Sequence, residues 1–145
     1  MWYLALGDSL SVGVQPDAAN VNHPTTFGYA DQLHQALKAT TPDLELKKLG
    51  CAVTETTTDM LKGPSDCRGQ YRLRVQLAAA VAFLLTHRGS VRLVTIDIGA
   101  NLPKILKALR LAAGPNVPIV GMNYYNPFLA AWLAVSYTHL RAHET

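Results

Sequence analysis

A serine follows the first apolar run of the chain. Residues 7–11 read Gly-Asp-Ser-Leu-Ser directly after Trp-Tyr-Leu-Ala-Leu. Gly7 permits a tight turn, and a serine just past a strand end can expose its hydroxyl at the start of a helical turn, where free backbone amides favour negative charge. Ser9 is thus placed for nucleophilic attack, with Asp8 supporting the turn. The same residues also fit a plainer role, because Ser or Asp after a strand commonly caps a helical turn.

The elements that must carry such a site follow from hydrophobic periodicity. Residues 2–6 form an apolar run closed by Gly7, as expected of a parallel strand covered on both faces. Residues 28–38 put Ala30, Leu33 and Leu37 on one helical face, with Asp31, Gln32 and Gln35 pointing away. Residues 44–49 alternate only at first and predict a weaker, edge-like strand. From Arg74 the chain is rich in Ala and Leu, and this helix stops at Gly89. Residues 91–99 are β-branched and make the strongest strand signal. A helix over 103–113 ends at Gly114-Pro115, and residues 117–122 predict a fourth strand, with Pro118 near its start. Strands and helices therefore alternate, which predicts a three-layer α/β/α fold around a parallel sheet. In such a sheet the loops starting at Gly7, Gly50, Gly99 and Met122 share one rim, beyond the carboxyl ends of the strands, where ligands bind.

Composition excludes several other classes. The 145 residues are 49% hydrophobic and 16% charged, enough apolar material for one compact domain and not a disordered tail. A net charge of +3 comes from thinly scattered Lys and Arg, without the basic stripe and interleaved rings of a nucleic-acid groove. The longest apolar run, residues 77–85, is far below the roughly 20 residues that span a bilayer. The N-terminus has neither a basic region nor a long apolar one, so no signal peptide is read there.

Four strings, ALGDSLSVG, GYADQL, LGCAVTETTTDML and VTIDIGAN, occur in this order. Together they resemble the SGNH (GDSL) hydrolases, esterases and lipases of flavodoxin-like fold, from about Tyr3 to about Trp132. The resemblance implies a carboxylic-ester hydrolase acting on a small-molecule or lipid ester, without metal or cofactor, and it suggests a secreted protein. It makes Ser9 the nucleophile, whose own amide joins Gly50 and the Asn101 side chain as oxyanion donors. One such donor is worth about 2.7–4 kcal/mol in the transition state. Two positions depart from the family pattern. Thr54 stands where a glycine is usual, and Leu102 where an aspartate is usual, with Pro103 opening the next helix at once. Asn101 also fits an ordinary helix N-cap.

A serine hydrolase needs a base and an acid to orient it, which the family supplies in a C-terminal Asp-x-x-His. The chain has none, since its last aspartate is Asp97. His34 and His87 read as surface residues, and His23, before Pro24 in the long first loop, as a candidate for substrate contact. His139 and His143 lie in residues 135–145, a polar string without periodicity that resembles a translated sequencing adapter. Residues 1–134 are therefore expected to be an incomplete hydrolase domain, lacking the last strand and helix, and 135–145 a non-native tail. Loss of the base costs about 10⁶ in kcat in a serine protease, so this chain is expected to be nearly inactive. A native terminus with His139 or His143 as base is the alternative reading of the tail.

Cys51 and Cys67 flank a loop containing Gly63-Pro64 and Gly69. The resemblance to exported esterases favours a disulfide between them; the other reading is two free thiols, and two cysteines without nearby histidines imply no metal. Residues 56–58, all threonine, start a short helix, and Phe27, Tyr124, Tyr125 and Phe128 are candidates for an acyl groove. A non-catalytic flavodoxin-like module binding a small ligand or carbohydrate is the second reading. A flavin or nucleotide binder is disfavoured, because no glycine-rich phosphate loop follows the first strand.

Overall fold

A computed structural model describes residues 1–52, 60–61, 75–97 and 102–121. Four strands form one parallel sheet: β1 (Trp2–Leu6), β4 (Glu45–Lys48), β5 (Val91–Ile96) and β6 (Ile119–Gly121), in the spatial order β4-β1-β5-β6. Between them run α2 (Tyr29–Lys38), α3 (Gln76–Thr86) and α4 (Leu102–Ala113). The first connection also holds a single helical turn, α1 (Ser9–Val12), and an antiparallel hairpin of β2 (Val14–Pro16) and β3 (Asn22–Pro24).

Alternation along β1 divides the core. Leu4 and Leu6 pack with Val94, Ile96, Ala80, Leu84, Ile105 and Leu109, so α3 and α4 cover one face. Tyr3 and Ala5 pack with Ala30, Leu33 and Leu37, so α2 covers the other. The helix changes face when the chain reverses direction across the sheet at β1, as crossovers of one hand require. In open α/β sheets such a reversal marks the usual ligand position, beyond the carboxyl ends of the strands.

The expected alternation of elements is observed among the described residues, with changed boundaries. The strand expected over 91–99 ends at Ile96, and the one over 117–122 shortens to Ile119–Gly121. The weak strand is indeed at the sheet edge. The β2–β3 hairpin has no counterpart in the periodicity, since its strands are three residues each and carry Pro16 and Pro24. Asp31 is corrected: it does not point away but is buried, bonded to Lys48 Nζ through both carboxylate oxygens at 3.0 and 2.9 Å. Lys48 also donates to the carbonyls of Val12 at 3.0 Å and Thr25 at 2.9 Å, so one ammonium joins α1, the first loop, α2 and β4. No helix among the described residues is long and apolar enough to cross a membrane.

Candidate active site

The turn that leaves β1 is held from several directions. Gly7 has φ of 131°, a conformation natural to glycine, and a Cβ there would lie 1.2 Å from Asp97 Oδ1. Gln76, the first residue of α3 and fully buried, brackets Gly7: the Gly7 amide donates to Oε1 and Nε2 donates to the Gly7 carbonyl, each at 2.8 Å. The same carbonyl accepts the Cys51 amide at 3.0 Å.

Asp8, not Ser9, caps α1. Its carboxylate accepts the Leu10 amide at 2.9 Å, as a helix N-cap does. Ser11, buried, donates its hydroxyl to the Asp8 carbonyl at 2.7 Å. Ser9 lies between them as the first residue of α1. It is half-buried, and no group among the described residues hydrogen-bonds its hydroxyl. The capping alternative for Ser9 is thereby answered by its neighbour.

Gly50 abuts the same turn. A Cβ added to it would lie 1.7 Å from Ser11 Oγ and 2.9 Å from the Asp8 carbonyl oxygen. The loops beginning at Gly7 and Gly50 therefore do share one rim. Asn101 and Thr54 lie outside the described residues, as do Gly99, Met122, Cys67, residues 56–58, Tyr124, Tyr125, Phe128, His139 and His143. Cys51 is buried and disulfide-bonded. Phe27 is exposed, in the segment between β3 and α2.

The described histidines, His23, His34 and His87, are engaged elsewhere. His34 Nε2 contacts the Leu44 carbonyl at 2.8 Å, and it is half-buried, not a surface residue. His87 is also corrected: its ring stacks on Phe83 at 4.1 Å and meets Trp2 edge-on at 5.1 Å, while Nδ1 contacts the Phe83 carbonyl at 2.9 Å. Both corrections depend on partners distant in sequence or supplied by packing. His23, exposed on β3, pairs through Nε2 with Asp17 at 2.9 Å. Asp17 lies below the usual carboxylate range, first through the Val21 amide and then through His23.

Asp97 is the residue that periodicity did not single out. It directly follows β5, is 3% exposed, and accepts the Asp8 amide on Oδ1 at 3.0 Å. Oδ2 is buried without a hydrogen-bond partner among the described residues. Burial first, then the Asp8 charge, pushes the carboxyl up to about 7, against the pull of nearby backbone amides. Two tyrosine hydroxyls lie nearby on Thr95 Oγ1, Tyr3 at 2.9 Å and Tyr29 at 3.4 Å, and burial raises both above the usual phenol range. The available sequence signal was an acid at the end of the most apolar strand. For Gln76 it was a polar residue opening an otherwise apolar helix.

A cavity of about 680 Å³ lies at the opposite end of the sheet, lined by Arg88, Arg92, Pro115 and Val117, away from Ser9. Among the described residues no cluster of His, Cys, Asp and Glu could hold a metal ion. Comparison with family models, curated proteins and solved structures finds no match to this chain.

Proposed function

We propose that this chain is a serine carboxylic-ester hydrolase of the SGNH type, with a flavodoxin-like fold and an acyl-enzyme formed on Ser9. The observation that carries the reading is the division of labour in the first turn. Asp8 caps it and Ser11 braces it, while the Ser9 hydroxyl, at the carboxyl end of a central strand, is uncommitted among the described residues. The spatial order of the parallel strands, second-first-third-fourth in chain order, supports the flavodoxin-like arrangement.

In this reaction the Ser9 oxygen attacks the ester carbonyl carbon, and the tetrahedral intermediate expels the alcohol, which leaves with a proton. Water then cleaves the acyl-enzyme to the free acid and returns the proton to Ser9. The Ser9 amide, Gly50 and Asn101 are the oxyanion donors this reading assigns. The serine proton needs a base, and the sequence has no Asp-x-x-His to provide one. Turnover of a short-chain nitrophenyl ester by this chain is therefore expected near background. A fluorophosphonate probe, which needs one attack and loss of fluoride, is expected to label the protein slowly at Ser9 and not to label Ser9→Ala. Equal labelling of both proteins would remove the reading.

The commitment of His23, His34 and His87 to other partners favours a second reading, a non-catalytic module binding a small ligand or carbohydrate at the same rim. Specific ligand binding unchanged in Ser9→Ala, together with no labelling, would favour it.

A further inference from the structure

We propose that Asp97 is the positioning residue of the nucleophile turn: its carboxyl, set against Gly7 and accepting the Asp8 amide, fixes the backbone from which the Ser9 side chain departs. The inference rests on the serine-hydrolase reading for its consequence and on geometry for its substance. Three contacts define it. Oδ1 accepts the Asp8 amide at 3.0 Å, the Asp97 amide donates to the Leu6 carbonyl at 3.3 Å, and Gly7 approaches so closely that only a missing side chain leaves room. One residue thus grips both sides of the bend between β1 and α1. Gln76 grips the same bend from α3 through the Gly7 amide and carbonyl.

The grip is exerted by an acid in a setting that opposes its charge. Among the described residues, the titratable groups facing it are Asp8 on the turn, Tyr3 on β1 and Tyr29 on α2; none is a cation. Its Oδ2, buried without a partner, is far more tolerable on a neutral carboxyl than on an anion. A neutral Asp97 still accepts the Asp8 amide through Oδ1. An ionised Asp97 adds negative charge at the Asp8 amide, on the turn that carries Ser9, and so opposes the negative charge that attack at Ser9 develops. Asparagine keeps the acceptor and never ionises.

The test uses the full chain, its Asp97→Asn and Asp97→Ala variants, and a fluorophosphonate probe from pH 5.5 to 8.5. Asp97→Asn is expected to label Ser9 at the wild-type rate at the acid end. Its advantage over wild type should grow to about tenfold as pH rises through the Asp97 transition. Asp97→Ala, which removes the Oδ1 acceptor of the Asp8 amide, is expected to label about tenfold more slowly at every pH. A ratio of Asp97→Asn to wild type that stays flat with pH overturns the proposal. The Asp8 backbone amide resonance supplies a second readout that needs no reaction at Ser9. It is expected to titrate near pH 7 in wild type and not in Asp97→Asn, and a flat wild-type trace overturns the proposal. If Ser9 is never labelled, the hydrolase reading falls and the amide titration alone decides the positioning contact.

Discussion

Asp31 and Asp97 are both buried carboxyls close to the first helical turn, yet their surroundings differ in kind. Asp31 receives a lysine, with both oxygens bonded to Lys48 Nζ and one also accepting the Gly28 amide at 3.1 Å. Asp97 accepts the Asp8 amide on Oδ1, has no hydrogen-bond partner on Oδ2 among the described residues, and faces the Asp8 charge. The first arrangement satisfies its acid completely and ties four segments together, as a structural ion pair does. The second leaves its acid under-satisfied next to the bend that bears Ser9, where perturbed titration more often accompanies chemistry. The contrast separates what holds the rim together from what operates on it.

Removing the lysine should break the structural half most severely. Lys48→Met leaves Asp31 buried without a cation and strips the Val12 and Thr25 carbonyls of a donor. A loss of about 3–5 kcal/mol is expected by urea denaturation; a loss below about 1 kcal/mol would mean the pair contributes little net stability.

A smaller effect is expected at Gly50, where the rim is tightest. Gly50→Ala drives a methyl into Ser11 Oγ and the Asp8 carbonyl, costing about 1–3 kcal/mol through overpacking. Slower fluorophosphonate labelling of Ser9 should accompany the stability loss, whereas unchanged labelling would uncouple this contact from the nucleophile.

The subtlest prediction concerns how stability varies with pH. Asp97 has a folded-state value raised to about 7, so above the ordinary carboxylate range the unfolded chain gives up this proton first. The stability that the protonated acid contributes is complete at acid pH, begins to fall above the unfolded value, and is lost once pH passes about 7. Asp97→Asn lacks this loss, so its stability relative to wild type should rise between pH 4 and 8. Parallel stability curves for the two proteins would remove the contrast with Asp31.

Much of the framework was legible in the sequence because burial of a two-faced sheet imposes long apolar runs and helical stripes, as in residues 2–6 and 103–113. The serine turn was legible because a glycine and a serine directly after an apolar strand are local signals; that Asp8 and not Ser9 caps it was not. What escaped depends on distant partners. Asp31 was assigned to the outer face because helical periodicity counts apolar residues, and it could not foresee a lysine arriving from β4. His87 needed Trp2 and Phe83 beside it before its burial made sense. Gln76 and Asp97 sat within apolar elements, where a pattern weighted toward hydrophobicity passes over the polar exception.

The clamp on Gly7 also dictates the order in which the molecule can mature. The bend leaves the ribosome before the segments that hold it: its bracket from Gln76 arrives 69 positions later, and its hold from Asp97 spans 89. Contacts of such sequence separation form only after the chain between them has collapsed and closed. The earliest-synthesised part of the rim is consequently among the last to acquire its working shape.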